Sequence, residues 1–293
     1  MKKPLIYMLI CILFLGLCGC SKQQENHIVA TTLPVYEFTA RICQGTELAV
    51  SRLITENISC LHDYTLQTKH MRMLESADLI LSTGPETDIF LNDVLSGEPR
   101  VVDTSTGVSL LHSANTANHT HDGHCHDDEF DHHIWLSPVN CRTMAENVCK
   151  ALCSKYPQYK ETFENNCNVL INDLAKLEDY GKQALQPLSN RKLITFHDGF
   201  TYLTEAFDLQ ILRAIEEESG SEASAGELIE LIKMISDENI HSIFTERNGS
   251  DAAAQIIAAE TNVSVYTLDM AMSGDSYFAA MYKNIDTLKE ALE

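Results

Sequence analysis

Histidine side chains are concentrated in the stretch 111–135, which holds seven of the twelve histidines of the chain. Carboxylates and a cysteine lie among them, so nitrogen, oxygen and sulfur donors are close together in sequence. Neutral imidazole is the commonest protein ligand for zinc-like metals, and a short histidine-rich tract is typical of metal binding. We therefore expect the tract to collect metal, although a soluble loop with histidines as polar residues is the alternative. Its candidate donors are His112, His119, His121, His124 and His126.

Four further candidate ligands stand after predicted strands or at the end of the tract. They are His62, His133, His197 and Asp269. His197 directly follows the strand-like run 192–196, and Asp269 directly follows 265–268. Ligands of open parallel sheets bind outside the carboxyl ends of the strands, and three imidazoles with one carboxylate suit four-coordinate Zn²⁺. Four histidines lack this placement and are predicted to lie on the surface: His27, His70, His112 and His241.

These residues are embedded in an alternation of apolar strand-like runs and helical patterns, which predicts parallel sheets. A helical pattern from 157 to 185 interrupts the alternation and predicts one helix of about 28 residues, roughly 42 Å long. The predicted fold class is therefore α/β, with two lobes that each hold a mainly parallel sheet flanked by helices, joined by one long rigid helix. The predicted segments are a signal peptide 1–20, a tether 21–26, an N-terminal lobe 27–137 with the histidine-rich loop 111–131, a helical segment 138–190 and a C-terminal lobe 191–293.

The first twenty residues predict export. Lys2 and Lys3 precede an apolar run that is too short for a comfortable membrane-spanning helix. The ending Leu17-Cys18-Gly19-Cys20 resembles the lipobox of bacterial lipoproteins. We expect Cys20 to carry the lipid anchor, with Cys18 as the alternative, on the outer face of the cytoplasmic membrane or in a periplasm.

The net charge limits the classes of partner, and the cysteine count limits the possible disulfides. A formal net charge of −21 argues against nucleic acid as a partner and favours cations near the surface. Beyond the anchor lie seven cysteines, so at least one thiol is unpaired. Cys141, Cys149 and Cys167 fall on apolar helical faces, which predicts buried thiols. Cys43 and Cys60 are candidates for a disulfide, but the connectivity stays open.

Several motifs in order give the chain a family resemblance. They are His62-Asp63-Tyr64-Thr65-Leu66, Leu74-Glu75-Ser76-Ala77-Asp78, Thr83-Gly84-Pro85-Glu86, His133-Ile134-Trp135-Leu136-Ser137-Pro138, Phe196-His197-Asp198-Gly199-Phe200, Ile243-Phe244-Thr245-Glu246 and Ser273-Gly274-Asp275-Ser276-Tyr277. From His27 to the C-terminus the chain resembles the metal-binding solute-binding subunits of bacterial ABC importers, particularly those for zinc. Departures from the usual pattern at Leu61, Thr68 and Met270 remove no ligand.

The resemblance implies a non-enzymatic, monomeric zinc-binding protein that holds Zn²⁺ between its lobes. It further implies delivery of the ion to a membrane permease driven by a cytoplasmic ATPase. His62, His133 and His197 are carried over as ligands, with Asp269 as a conditional fourth. A histidine at 197 suits zinc, whereas manganese-type relatives tend to place a carboxylate there. The alternatives are a manganese- or iron-binding member, a metal-dependent surface adhesin, or a zinc hydrolase with Asp63 or Asp198 as base.

Overall fold

The structure is a computed structural model that describes residues 27–58, 61, 64–84, 87–114, 130–216 and 224–293. Within these ranges no helix has both the length and the apolar character needed to cross a membrane. The signal peptide, the tether and Cys20 lie outside the described residues.

The N-terminal lobe holds a parallel sheet in the order β2-β1-β3-β4. Val29, Ile80 and Leu81 are fully buried, as expected for strands covered on both faces. The elements in chain order are β1 (His27–Ala30), α1 (Leu33–Ile42), β2 (Ala49–Arg52), α2 (Thr68–Ser76), β3 (Leu79–Ser82), a 3₁₀ turn (Ile89–Leu91), α3 (Asn92–Leu95) and β4 (Val101–Asp103).

Two helices connect the sheets. After the 3₁₀ turn Ile134–Leu136, α4 (Pro138–Lys155) begins with a proline, and the hydroxyl of Ser137 caps it by accepting a hydrogen bond from the Asn140 amide. A second 3₁₀ turn, Pro157–Tyr159, leads into α5 (Lys160–Leu185). At 26 residues, α5 is about 39 Å long.

The C-terminal lobe repeats the design, with a parallel sheet in the order β6-β5-β7-β8. The Ser224 hydroxyl and the Glu227 carboxylate form a capping box at its second helix. The elements in chain order are β5 (Lys192–His197), α6 (Thr201–Ala206), β6 (Gln210–Glu216), α7 (Ala225–Asp237), β7 (Ser242–Glu246), α8 (Ala252–Thr261), β8 (Ser264–Leu268) and α9 (Tyr277–Leu292).

Direct hydrogen bonds tie the lobes together beside the cleft. The Trp135 indole donates to the Met270 carbonyl at 2.7 Å, and the Tyr277 hydroxyl donates to the Trp135 carbonyl at 2.9 Å. Arg52 donates to the Gly274 carbonyl at 2.8 Å. Because Trp135 is buried, its N–H needs such a partner, so these bonds fix the segment that follows His133 against the C-terminal lobe.

The predicted fold class is confirmed by two parallel sheets with a long helix between them. The apolar pattern over 86–95 predicts one helix, but the described part of this range consists of a 3₁₀ turn and the short α3. The prediction that His70 lies on the surface is also wrong. His70 is fully buried at the start of α2, where its Nδ1 accepts a hydrogen bond from the Gln67 amide. A helix-capping role, which the strand-end argument ignored, accounts for this burial.

Candidate metal centre

Two imidazoles meet in the cleft between the lobes. The Nε2 atoms of His133 and His197 are 3.4 Å apart, and the rings are nearly perpendicular. Two nitrogens bound to one tetrahedral Zn²⁺ at 2.0–2.1 Å would be about 3.3 Å apart. Both side chains are buried, so the two ring nitrogens are held near each other inside the protein and do not meet as a chance contact on its surface.

His197 is the last residue of β5, beside β6 and β7 at the carboxyl edge of the sheet. The chain then turns through Gly199, which lies against both rings. A Cβ on Gly199 would come within 2.7 Å of the His133 Cε1 and of the His197 Nε2. Since such distances are prohibitive, a glycine is required for the two imidazoles to approach each other here.

Asp131 orients His133. Its Oδ1 accepts hydrogen bonds from the His133 amide and ring Nδ1, both at 2.8 Å, and its Oδ2 accepts one from the Thr201 amide at 3.0 Å. With Nδ1 directed at the carboxylate, the Nε2 of His133 is presented to the cleft. Burial opposes ionisation of Asp131. The charge that His133 gains on protonation and the hydrogen bonds from His133 and Thr201 outweigh burial and hold the pKa of Asp131 below its ordinary value.

Glu246 lies behind the second imidazole. It is the last residue of β7, is buried, and places Oε2 3.8 Å from the His197 Nδ1. The Glu246 side chain can take this position beside His197 only because residue 249 is a glycine. A Cβ on Gly249 would lie 2.5 Å from the Glu246 Cγ. Each imidazole of the pair therefore has a carboxylate on its Nδ1 side, and the hydrogen bond that Asp131 makes is of the kind that orients metal-binding histidines.

Asp269 is engaged by a cation of the protein itself. Its Oδ2 is 2.7 Å from the Arg247 guanidinium, and its Oδ1 accepts a hydrogen bond from the Ala271 amide at 2.8 Å. Asn284 binds the backbone N–H and C=O of Asp269 as well. Both carboxylate oxygens thus have partners in this structure, and a metal would have to compete with Arg247 for one of them.

The other predicted ligands are only partly described. His62 lies outside the described residues, as do His119, His121, His124 and His126. His112 is exposed, and its ring stacks on Phe130 with centroids 4.8 Å apart where the two residues form an isolated β-bridge. In the part of the chain that is described, no group of three or more His, Cys, Asp or Glu side chains is set to hold a metal. His133 and His197 are brought together, but Asp269 does not join them.

The residues that support the imidazole pair, Glu246 and Asp131, are not among the ligands predicted from the sequence. Glu246 ends a strand just as His197 does, so the same strand-end reasoning would have found it. Asp131 stands two residues before His133, where its carboxylate is one of several in the tract. No sequence signal identified the Arg247 pairing, because it joins the ends of β7 and β8 across the sheet.

Two parallel α/β lobes, a long helix between them and an imidazole pair in the cleft define a metal-binding solute-binding protein. The chain belongs to the family described as zinc-uptake complex component A, periplasmic, whose model matches residues 28–291.

Relatives agree with this assignment. The zinc-binding lipoprotein AdcA of Streptococcus pneumoniae is 30% identical over 310 residues, covering all of this chain and 62% of the relative. A putative metal-binding protein of Treponema pallidum is 29% identical, covering 90% of this chain and 86% of the relative. The solved Zn(II)-bound ZnuA-like domain of the pneumococcal AdcA matches with a TM-score of 0.76 at 27% identity, covering 92% of this chain and 99% of that domain. This chain thus spans less than two thirds of the whole pneumococcal protein.

Proposed function

We propose that this protein captures Zn²⁺ in the cleft between its lobes and hands it to an ABC permease that a cytoplasmic ATPase drives. The observation that carries the proposal is the 3.4 Å separation of the His133 and His197 Nε2 atoms, which fits two ligands of one zinc ion. The protein's work is binding and release, and no bond is made or broken in the cargo. Membership of a zinc-uptake family supports this assignment over a hydrolase.

His62 is the proposed third ligand. With His133 and His197 it would form a neutral three-imidazole shell, which suits Zn²⁺ better than the harder Mn²⁺. Asp269 is a conditional fourth ligand that binds only when Arg247 releases it. Otherwise the fourth position is left to water or another group.

The histidine-rich tract is proposed as an accessory collector that raises the local zinc concentration near the cleft. Its donors are His112, His119, His121, His124 and His126. Export and lipid anchoring at Cys20 complete the proposal, and the lipoprotein name of the pneumococcal relative supports them. Mass spectrometry of the mature chain from the membrane fraction would test the anchor, because an N-terminus other than an acylated Cys20 would exclude it.

Competition with a graded series of zinc chelators tests the cleft site. H133A and H197A should each weaken zinc binding at least about tenfold, since each removes a ligand worth more than about 1.4 kcal/mol. D269N should change the affinity by less than about threefold if Arg247 keeps the carboxylate occupied. H241A is the matched control, since His241 is an exposed histidine outside the cleft.

Deletion of residues 115–129 in the same titration separates the collector from the cleft. One tight zinc should remain while the total zinc bound decreases. Loss of the tight site on deletion, or unchanged affinity in H197A, would contradict the proposal.

A further inference from the structure

Three cysteine thiols gather where α4 packs against α5, outside the metal centre. Cys149 and Cys153 are four residues apart on α4 and therefore share one face of that helix, while Cys167 comes from α5. The Sγ atoms of Cys149 and Cys153 are 4.0 Å apart. Cys149 also shares a hydrogen bond with Cys167, so it is the central thiol of this cluster.

The distance between two of the sulfurs matches the distance between two sulfur ligands of one metal ion. Sulfurs bound to one ion at about 2.3 Å are about 3.8 Å apart in a tetrahedral site and about 4.0 Å apart in a trigonal one. Cys149 and Cys153 already have this separation. Cys167, whose thiol now approaches the Ala145 carbonyl at 3.6 Å, has a single side-chain torsion that can redirect its sulfur.

Electrostatics at the cluster favour a cation. The hydrogen bond from Cys149 lowers the pKa of Cys167, which makes Cys167 the thiol most ready to become a thiolate. Burial and the neighbouring Cys149 raise the pKa of Cys153 to about 11, with Glu164 contributing in the same direction. A bound cation would offset this mutual repulsion when it displaces the thiol protons.

The cluster is also accessible. Cys149 and Cys167 are buried, but Cys153 is partly exposed and gives an ion a way in from solvent. Among the described residues no three donors stand in a coordinating arrangement. An ion would therefore have to bring the three sulfurs closer together as it binds.

We propose that Cys149, Cys153 and Cys167 form a second metal site, selective for a soft thiophilic cation such as Cd²⁺ or Cu⁺ and independent of the cleft. Soft thiolate ligands prefer such ions, whereas imidazole and carboxylate ligands do not discriminate in their favour. The site joins α4 to α5, so its occupation should stiffen the helix pair that connects the lobes.

Cadmium is the probe. Full-length protein with reduced thiols, loaded beforehand with one equivalent of Zn²⁺, is titrated with Cd²⁺ while the ultraviolet thiolate-to-cadmium absorption is followed. C149S should abolish the component of this band that saturates at one Cd²⁺ per chain, and C167S should weaken its binding by about tenfold or more. C43S is the matched control, because Cys43 is a buried free thiol at the end of α1 and belongs to neither α4 nor α5. H197A should leave the band intact, which separates this site from the cleft.

Alkylation provides a readout that needs no variant. Because the pKa of Cys153 is raised to about 11, iodoacetamide labelling is followed at alkaline pH, where it should modify Cys153 in the cadmium-free protein and do so at least about tenfold more slowly after cadmium is added. Circular dichroism checks that each variant is folded. The proposal is overturned if the band persists in C149S, if cadmium leaves the labelling of Cys153 unchanged, or if the purified protein contains a disulfide within the cluster.

Discussion

At the scale of single residues, the cleft is defined by what lies behind each imidazole. Asp131 binds the Nδ1 of His133, and Glu246 lies 3.8 Å from the Nδ1 of His197. Because Asp131 holds the Nδ1 of His133 by a hydrogen bond, that ring presents a fixed Nε2, and less conformational freedom is lost when a metal binds. The zinc affinity should therefore depend on these carboxylates nearly as much as on the ligands.

Replacing Asp131 tests this dependence. D131N places an amide where one oxygen now accepts from His133 and the other from Thr201, so one of the two interactions becomes donor against donor. We expect zinc affinity to fall by roughly 10- to 100-fold, measured by chelator competition. D237N, on the exposed end of α7, is the control. Affinity equal to that of the control would remove Asp131 from the site.

Replacing Arg247 tests the fate of Asp269. In R247Q the buried carboxylate loses its cation and becomes available to an incoming metal. Because Mn²⁺ prefers oxygen ligands, the ratio of manganese to zinc affinity should rise. The rise should disappear in R247Q/D269N and be absent in R72Q, which removes an exposed charge elsewhere. If the double variant keeps the altered ratio, Asp269 is not its cause.

Some of these residues are predictable from the sequence and others are not. His133 and His197 are predictable because each ends a recognisable run, and their ligand roles remain predictions. The burial of His70 is not predictable, because its partners, Glu56 and Tyr64, lie in a loop whose path the sequence does not specify. The Arg247–Asp269 pair required knowledge of which strands are neighbours.

At the scale of elements, the carboxyl ends of β1 and β3 are joined by one buried carboxylate. The Asp88 Oδ2 accepts hydrogen bonds from the Thr31 hydroxyl, the Ser82 hydroxyl and the Thr83 amide at 2.7–2.9 Å. Burial outweighs these bonds and raises the pKa of Asp88 to about 6. Asp88 thus fixes the edge of the N-terminal sheet that faces the cleft, at a cost that depends on pH.

The pKa of Asp88 is about 6 in the folded protein and 3.8 in the unfolded chain. Between pH 3.8 and about 6 the folded protein therefore binds more protons than the unfolded chain. Its free energy of unfolding falls as the pH rises through this range and stays lower above it. Relative to D88N, the wild-type free energy of unfolding should fall by about 3 kcal/mol or less between about pH 4 and pH 7. Urea unfolding of zinc-free protein measures this difference. Parallel pH profiles for the two proteins would contradict it.

The order of strands and helices was predictable because apolar runs and helical periodicity alternate along the chain. The ends of elements were less predictable. The apolar run 48–54 predicts a strand, of which only Ala49–Arg52 pairs. The helical pattern that starts at Thr65 predicts an earlier start for the second helix, which begins at Thr68. The capping box of Gln67 and His70 sets the start of this helix. Because His70 is also buried in the folded protein, the start depends on tertiary packing as well as on the local sequence.

At the scale of the whole molecule, the lobes are held by bonds that converge on one side of the cleft. Trp135 reaches Met270, Tyr277 reaches Trp135, and the Glu37 carboxylate accepts from the first amide of α9. With α5 joining the sheets, these bonds favour a preorganised cleft over wide opening. The net charge of −21 raises the local concentration of cations around it.

The central claim is that zinc binds at the point where His133 and His197 converge. Crystals of the zinc-loaded protein, with diffraction collected on both sides of the zinc absorption edge, would locate the ion directly. We predict one strong anomalous peak about 2.0–2.1 Å from the Nε2 atoms of both residues, with the His62 ring as a third ligand. Zinc found only in the histidine-rich tract or at the cysteine cluster, with the imidazole pair unliganded, would contradict this account.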